Sequence, residues 1–320
     1  MKRFLSIALA AMLFGSVATL PAGAQAKPKI RLAYVCGGVN AMVAELGLDD
    51  GAYEKAGLDV EKVCFSAGAP AVQALIGGSV DVFTGSPEHA LRAQSRGINV
   101  KIYGCLMNGI GYSLVTKADS KFKTLADLKG QTVAVTAPPS LSDTVLRRGL
   151  EAAGLNPERD LSIVSAGSGA TMLAALDTNR VVAGMVSPPD LQKLVASKQY
   201  RVLYDPQFDY AGIVVMARSD FMTANKAAVE AFFRVMSAEA NSARSSPAVA
   251  AATMIKEFPT VDSAIMLDAV RGQAKIIPAG FIVPRKGLEA ADDIEVHAKT
   301  IPAAVPYDQI VDTTFTSTLK

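Results

Sequence analysis

Five short stretches of this sequence gather residue types that hold small polar solutes. They are Gly37-Gly38-Val39-Asn40, Ser66-Ala67-Gly68-Ala69, Thr84-Gly85-Ser86-Pro87, Ser140-Leu141-Ser142-Asp143 and Ser187-Pro188. All are small, rich in hydroxyl or amide groups, and uncharged up to the entry of the next helix. Glycine lets a solute approach the backbone, and the free N–H groups of a helix start carry partial positive charge. Such stretches suit binding: a small anionic or polar ligand held by neutral donors. Ligand contact is expected from Gly38, Val39 and Asn40, from Ser66, Gly68 and Ala69, from Ser86 and Pro87, and from Ser140, Ser142, Ser187 and Tyr210. Tyr112 is a second ring that could close over the site. A serine at such a turn also caps a helix, and one hydroxyl can do both. Ser187-Pro-Pro-Asp190 and Thr124-Leu-Ala-Asp127 both read as capping boxes.

Signatures of catalysis are missing from the chain. It has no G-x-S-x-G elbow, no P-loop, no G-x-G-x-x-G and no H-E-x-x-H. His89 and His297 have no metal-ligand spacing, and Asp143 and Asp190 sit where helix capping explains them. No catalytic residue, metal or cofactor is expected. His89 reads as packed or superficial, with a role in the cleft as the alternative, and Met172 and Met185 read as core fillers.

The elements that must position these stretches are short β-branched runs alternating with helical periodicity. Strands are expected at 30–35, 60–65, 80–83, 100–103, 132–136, 161–164, 181–186 and 212–217. Helices are expected between them, and almost only helices from Met222 onward. Such alternation implies an α/β fold of mostly parallel sheets flanked by helices. An internal repeat adds to this. Gly68 to Leu75, Val80 and Ser86-Pro87 recur as Gly169 to Leu176, Val181 and Ser187-Pro188 at a constant offset. Two lobes of similar architecture are therefore expected. In open sheets of this kind, ligands bind beyond the carboxyl ends of the strands, where the five stretches fall.

The chain has 320 residues, of which 50% are hydrophobic and 19% charged, with 32 Lys+Arg against 30 Asp+Glu. That composition can fill a core, and it lacks the electrostatic footprint of a nucleic-acid binder. Lys2 and Arg3, an apolar stretch and Ala24-Gln-Ala26 read as a signal peptide cleaved after Ala26, so the mature chain is expected in the periplasm. Cys36, Cys64 and Cys105 lie in or beside apolar runs and read as buried free thiols, with one bridge plus one free thiol as the alternative.

Three blocks in order resemble a known family. They are Gly51-Ala-Tyr-Glu-Lys-Ala-Gly-Leu-Asp-Val60, Ala71-Val-Gln-Ala-Leu-Ile-Gly-Gly-Ser-Val-Asp-Val82 and Ser120 through the Leu-Lys-Gly of 128–130 to Thr136. Together they resemble the nitrate/sulfonate/taurine and thiamine-precursor binding proteins of ABC importers. The resemblance runs from Ile30 to about Asp312. It implies a two-lobed type II periplasmic-binding fold, with crossings near 111–115 and 211–215. The expected division is 1–26 signal peptide, 27–112 with 213–320 as lobe 1, and 113–212 as lobe 2. It further implies a membrane permease as partner, a small-molecule ligand, a monomer and no catalytic residues. Two features depart from the family: Ala137-Pro-Pro-Ser-Leu-Ser-Asp143 stands where many relatives have a Gly-Ser-rich turn, and no Arg or Lys occupies the tips. An exported lyase or hydrolase on the same scaffold, with Asp143 or His89 as its acid or base, is the alternative. A transcriptional regulator would need a DNA-binding segment and no export signal.

Overall fold

The computed structural model describes residues 27–36, 38–317 and 319. The expected signal peptide and Gly37 lie outside them. In chain order, the first half runs β1 (Lys29–Val35), α1 (Met42–Asp49), α2 (Ala52–Lys55), β2 (Asp59–Phe65), α3 (Gly68–Ile76), β3 (Val82–Gly85), α4 (Glu88–Ser95) and β4 (Val100–Met107). The chain continues through β5 (Ser113–Lys117), β6 (Thr132–Val135), α5 (Leu141–Ala152), β7 (Ser162–Ser165), α6 (Ala170–Asp177), β8 (Ala183–Val186), α7 (Asp190–Ala196), β9 (Tyr200–Tyr204) and β10 (Ile213–Arg218). Six further helices follow: α8 (Ser219–Ala224), α9 (Lys226–Ser245), α10 (Pro247–Glu257), α11 (Ser263–Ala274), α12 (Arg285–His297) and α13 (Tyr307–Ile310).

Two five-stranded sheets result, ordered β2-β1-β3-β10-β4 and β7-β6-β8-β5-β9. The orders match strand for strand, so the repeat seen in the sequence is a repeat of topology. In each sheet four strands point one way and one is reversed, β10 in the first and β5 in the second. The reversed strand is the one the chain enters after crossing from the other sheet. Strands β3 and β8 are buried along their whole length, as strands covered on both faces must be. The sequence reading missed β5 and β9. Both are short, and they are defined by the partners on which they pair.

The crossings, 108–112 and 205–212, run side by side, and the Gly109 N–H donates to the Tyr210 carbonyl at 2.7 Å. Gly212 is required here, because a Cβ would run into the Gly109 carbonyl oxygen. Helices α9, α10 and α11 cover α1 and one face of the first sheet. Their core is aromatic, with Tyr53 stacked on Phe232 at 5.3 Å and Phe233 edge-on to Phe281 at 5.8 Å. Burying each such ring is worth about 1.5–3 kcal/mol. On the opposite face α12 packs on α4, where Glu295 pairs with Arg92. The C-terminal helices thus pack against the first sheet and its helices.

The cysteines depart from the favoured expectation. Cys36 and Cys64 form a disulfide with Cα atoms 5.6 Å apart, and only Cys105 is free and buried. The reason lies in the sheet: β2 is an edge strand whose residues are largely exposed or half-buried. Its register sets Tyr34 beside Cys64, which brings Cys36 within bonding reach just past the end of β1. Cys105 sits on β4, the opposite edge strand but one buried along nearly its whole length, and burial pushes its thiol up to about 12.

Candidate functional site

The carboxyl ends of both sheets face each other across two small adjoining chambers. The first is lined from one lobe by Tyr34, Asn40, Gly68, Thr84, Ser86 and His89, and from the other by Thr136 and Ser140. The second is lined by Ser168, Gly169, Met172, Met185, Ser187 and Asp190. Tyr112, on the first crossing, borders both, as does Thr136. The chambers hold about 30 and 10 Å³, so a solute can enter only if the lobes separate.

Hydrogen bonds between the lobes cluster at these same tips. The Val39 N–H donates to the Pro188 carbonyl at 3.0 Å, and the Ala69 N–H donates to Ser140 Oγ at 3.2 Å. Ser168 Oγ donates to the Cys36 carbonyl at 2.9 Å and lies 3.3 Å from the Ser66 carbonyl. A Cβ on Gly38 would sit 3.0 Å from Ser187 Oγ, so the backbones touch closely there.

Behind the first chamber lies a buried polar cluster. Glu88, fully buried at the start of α4, accepts from the Ser86 hydroxyl and, at 2.9 Å, from the Tyr210 hydroxyl. His89 is 4% exposed, and its Nε2 occupies the space a Cβ on Gly68 would need. Burial, with the nearby Arg92 charge, pushes the His89 imidazole down to about 3, so it is neutral at pH 7. Arg92 pairs with Glu295 and reaches the second lobe, donating to the Pro139 carbonyl at 2.9 Å.

The expected contacts fall into three groups. Asn40, Gly68, Ser86, Ser140 and Ser187 line the chambers. Gly38, Val39, Ser66 and Ala69 form the seam between lobes, Ser66 through its carbonyl. Pro87, Ser142 and Tyr210 stand behind: Ser142 Oγ accepts from the Thr136 N–H at 3.0 Å, and Tyr210 supports Glu88. Ser142 and Tyr210 are turned away from the cavity because each hydroxyl has a buried partner of its own.

Capping also differs from expectation. The Thr124–Asp127 box is present. Ser187 makes no cap, because a residue before proline is held out of the helical region and two prolines follow it, so α7 begins only at Asp190. Ser86 is displaced from α4 in the same way by Pro87, and Ser140 spends its oxygen on the other lobe. Residues that line the chambers but lie outside the expected set include Tyr34, Thr84, Thr136, Ser168 and Asp190. The repeat held a signal for one of them: Ser168-Gly169 is the counterpart of Ala67-Gly68. Met172 and Met185 are core residues, as expected, that also wall the second chamber.

A larger groove of about 870 Å³ lies outside this seam, between α5 and α12. Its Asp143 is held by Arg147 at 2.8 Å, and its Arg92 by Glu295. Its mouth is wide and its buried charges are paired with one another, so the tips remain the better site. Among the described residues no helix is long and apolar enough to cross a membrane, and no group of His, Cys, Asp and Glu could hold a metal ion.

Known proteins share this architecture. A solved structure from Bordetella bronchiseptica RB50 superposes with a TM-score of 0.80 at 23% identity, over 91% of this chain and 96% of the other. The alkanesulfonate-binding protein SsuA of Xanthomonas axonopodis pv. citri, bound to MOPS, does so with 0.74 at 20%, over 90% and 99%. The periplasmic nitrate-binding protein NrtA of Synechocystis PCC 6803 gives 0.71 at 16%, over 90% and 86%. In sequence, a protein of Brucella abortus (strain 2308), named simply a binding protein, is 28% identical over 277 residues, 82% of this chain and 81% of its own length. The family model for the phosphonate periplasmic substrate-binding protein of ABC transporters matches residues 53–264. With that match over most of a two-lobed chain whose lobes meet at their strand tips, the protein belongs to the periplasmic substrate-binding proteins of ABC importers.

Proposed function

We propose that the mature chain, cleaved after Ala26, works as a monomer that traps a small anionic or polar organic solute between its lobes and delivers it unaltered to a membrane permease. The lobes divide at the crossings, 27–112 with 213–320 against 113–212. The observation that carries this reading is that the seam's hydrogen bonds surround the same chambers that the tip residues line. A solute touching both walls favours the closed form by its difference in affinity for the two states. The relatives' phosphonate, alkanesulfonate and nitrate mark the size and polarity to screen.

The enzyme alternative has less support. Asp143 is paired with Arg147 and lines the outer groove, while His89 is a neutral base wedged beneath Gly68. The test is a thermal-shift screen of the mature protein against small phosphonates, sulfonates, carboxylates, nitrate and pyrimidines, with hits followed by small-angle scattering. Hits should bind one to one without turnover and contract the particle. Ser86→Ala with Ser187→Ala should weaken binding more than either change alone. Turnover of a hit, or binding indifferent to the double change, would sink the reading.

A further inference from the structure

Arg92 stands in the first lobe, yet its hydrogen bonds do not end there. It lies on α4 and is 8% exposed, and its Nε and Nη2 both donate to the Glu295 carboxylate on α12, Nη2 at 2.7 Å. Glu295 is itself 1% exposed and also accepts from the Thr300 hydroxyl. The planar fork is thereby fixed within its own lobe. Its remaining arm, Nη1, crosses to the second lobe and donates to the Pro139 carbonyl at 2.9 Å. Nη2 also lies 3.5 Å from Thr144 Oγ1 on α5.

That carbonyl belongs to a turn gripped from two sides. Pro138 and Pro139 have no N–H to give, so the turn meets the first lobe as an acceptor. One residue on, Ser140 Oγ accepts from the Ala69 N–H. The first lobe therefore holds this turn at the chamber through α3 and behind it through α4. The two contacts differ in kind. Ser140 lines the first chamber and its bond is neutral, whereas Arg92 lines the outer groove and neither chamber. A charged donor in a buried setting makes the stronger bond, and parting the lobes would strip Nη1 of its partner.

We propose that Arg92, positioned by Glu295, is a latch on the Pro139 carbonyl that holds the lobes together before any solute arrives. This rests on the capture reading above and adds to it: the resting protein is mainly closed, and solute enters through transient openings.

The test reads lobe separation without a solute. Spin labels on one exposed position of each lobe report it in the mature protein, refolded from denaturant to shed anything bound. The wild type should show a mainly closed distribution of distances. Arg92→Met with Glu295→Met removes the guanidinium without stranding a buried charge, so the chain should still fold. Its closed-to-open ratio should fall about tenfold, the size of one charge-assisted hydrogen bond. Arg92→Lys keeps a charge beside Glu295 but lacks the fork, and its ratio should fall part of the way. His297→Gln is the control: it removes an exposed cross-lobe pair with Glu151 on the same groove and should leave the ratio within about twofold. A double variant that melts earlier yet keeps the wild-type ratio makes Arg92 merely structural and overturns the proposal. A wholly open wild type does the same, as does a His297→Gln change as large as that of the double variant. If the double variant fails to fold, Arg92→Lys decides, and an unchanged ratio overturns the latch. Distances that vary but ignore Arg92 sink the latch alone. One narrow distance in every variant, unmoved by any hit of the screen, sinks capture as well.

Discussion

His89 shows how one buried side chain ties the site to stability. Its imidazole fills the space under Gly68, so the α3 entry can lie close over it, and it stays neutral because burial and Arg92 both oppose a proton. The unfolded chain binds that proton near pH 6.5, whereas the folded chain resists it to about 3. The stabilising difference is therefore complete above about pH 6.5 and is lost as pH falls through the window down to about 3. Between about pH 6.5 and 5 this one group should remove roughly 2 kcal/mol of stability. Melting temperatures of the wild type and His89→Gln, each measured at about pH 7 and 5, test it. The variant should lose less on acidification, and parallel declines would refute the assignment.

Among the elements, the two crossings carry the sharpest constraint. Gly212 has the Gly109 carbonyl where a side chain would begin, and the neighbouring Gly109 N–H bonds Tyr210. Gly212→Ala must push two backbones apart, and we expect it to cost about 2–4 kcal/mol in urea unfolding. Gly272→Ala is the matched control: it lies within α11 with nothing within 4 Å of a new Cβ, so it should stabilise by about 0.5–1 kcal/mol. Equal effects of the two changes would remove the argument from the crossing. The repeat was legible at this scale because β-branched runs and Ser-Pro turns recur at one spacing. Strands β5 and β9 were not, since these five-residue segments become strands by pairing across the sheet.

For the whole molecule, the seam depends on a staple that the sequence reading did not favour. Ser168 of the second lobe lies within reach of the Cys36 and Ser66 carbonyls on neighbouring strand ends, whose separation the Cys36–Cys64 bridge holds. Reduction of the bridge and Ser168→Ala should each widen the distribution of distances between spin labels placed on the two lobes. Their combined effect should be less than the sum, because each acts on the same contact. Strict additivity would show that the bridge does not act through Ser168. Far-UV circular dichroism of the reduced protein separates opening from unfolding.

The sequence alone determined the fold class, the repeat, the helical tail and the tips where polar residues gather, because side-chain periodicity and turn chemistry are local and written in order along the chain. It could also place Ser86 and Ser187 at equivalent turns. Only the tertiary structure decided which hydroxyls are free. Glu88 claims Ser86 and Tyr210, and Thr136 claims Ser142. Hydrogen-bond satisfaction depends on neighbours brought from distant parts of the chain, and no spacing along it records who those neighbours are.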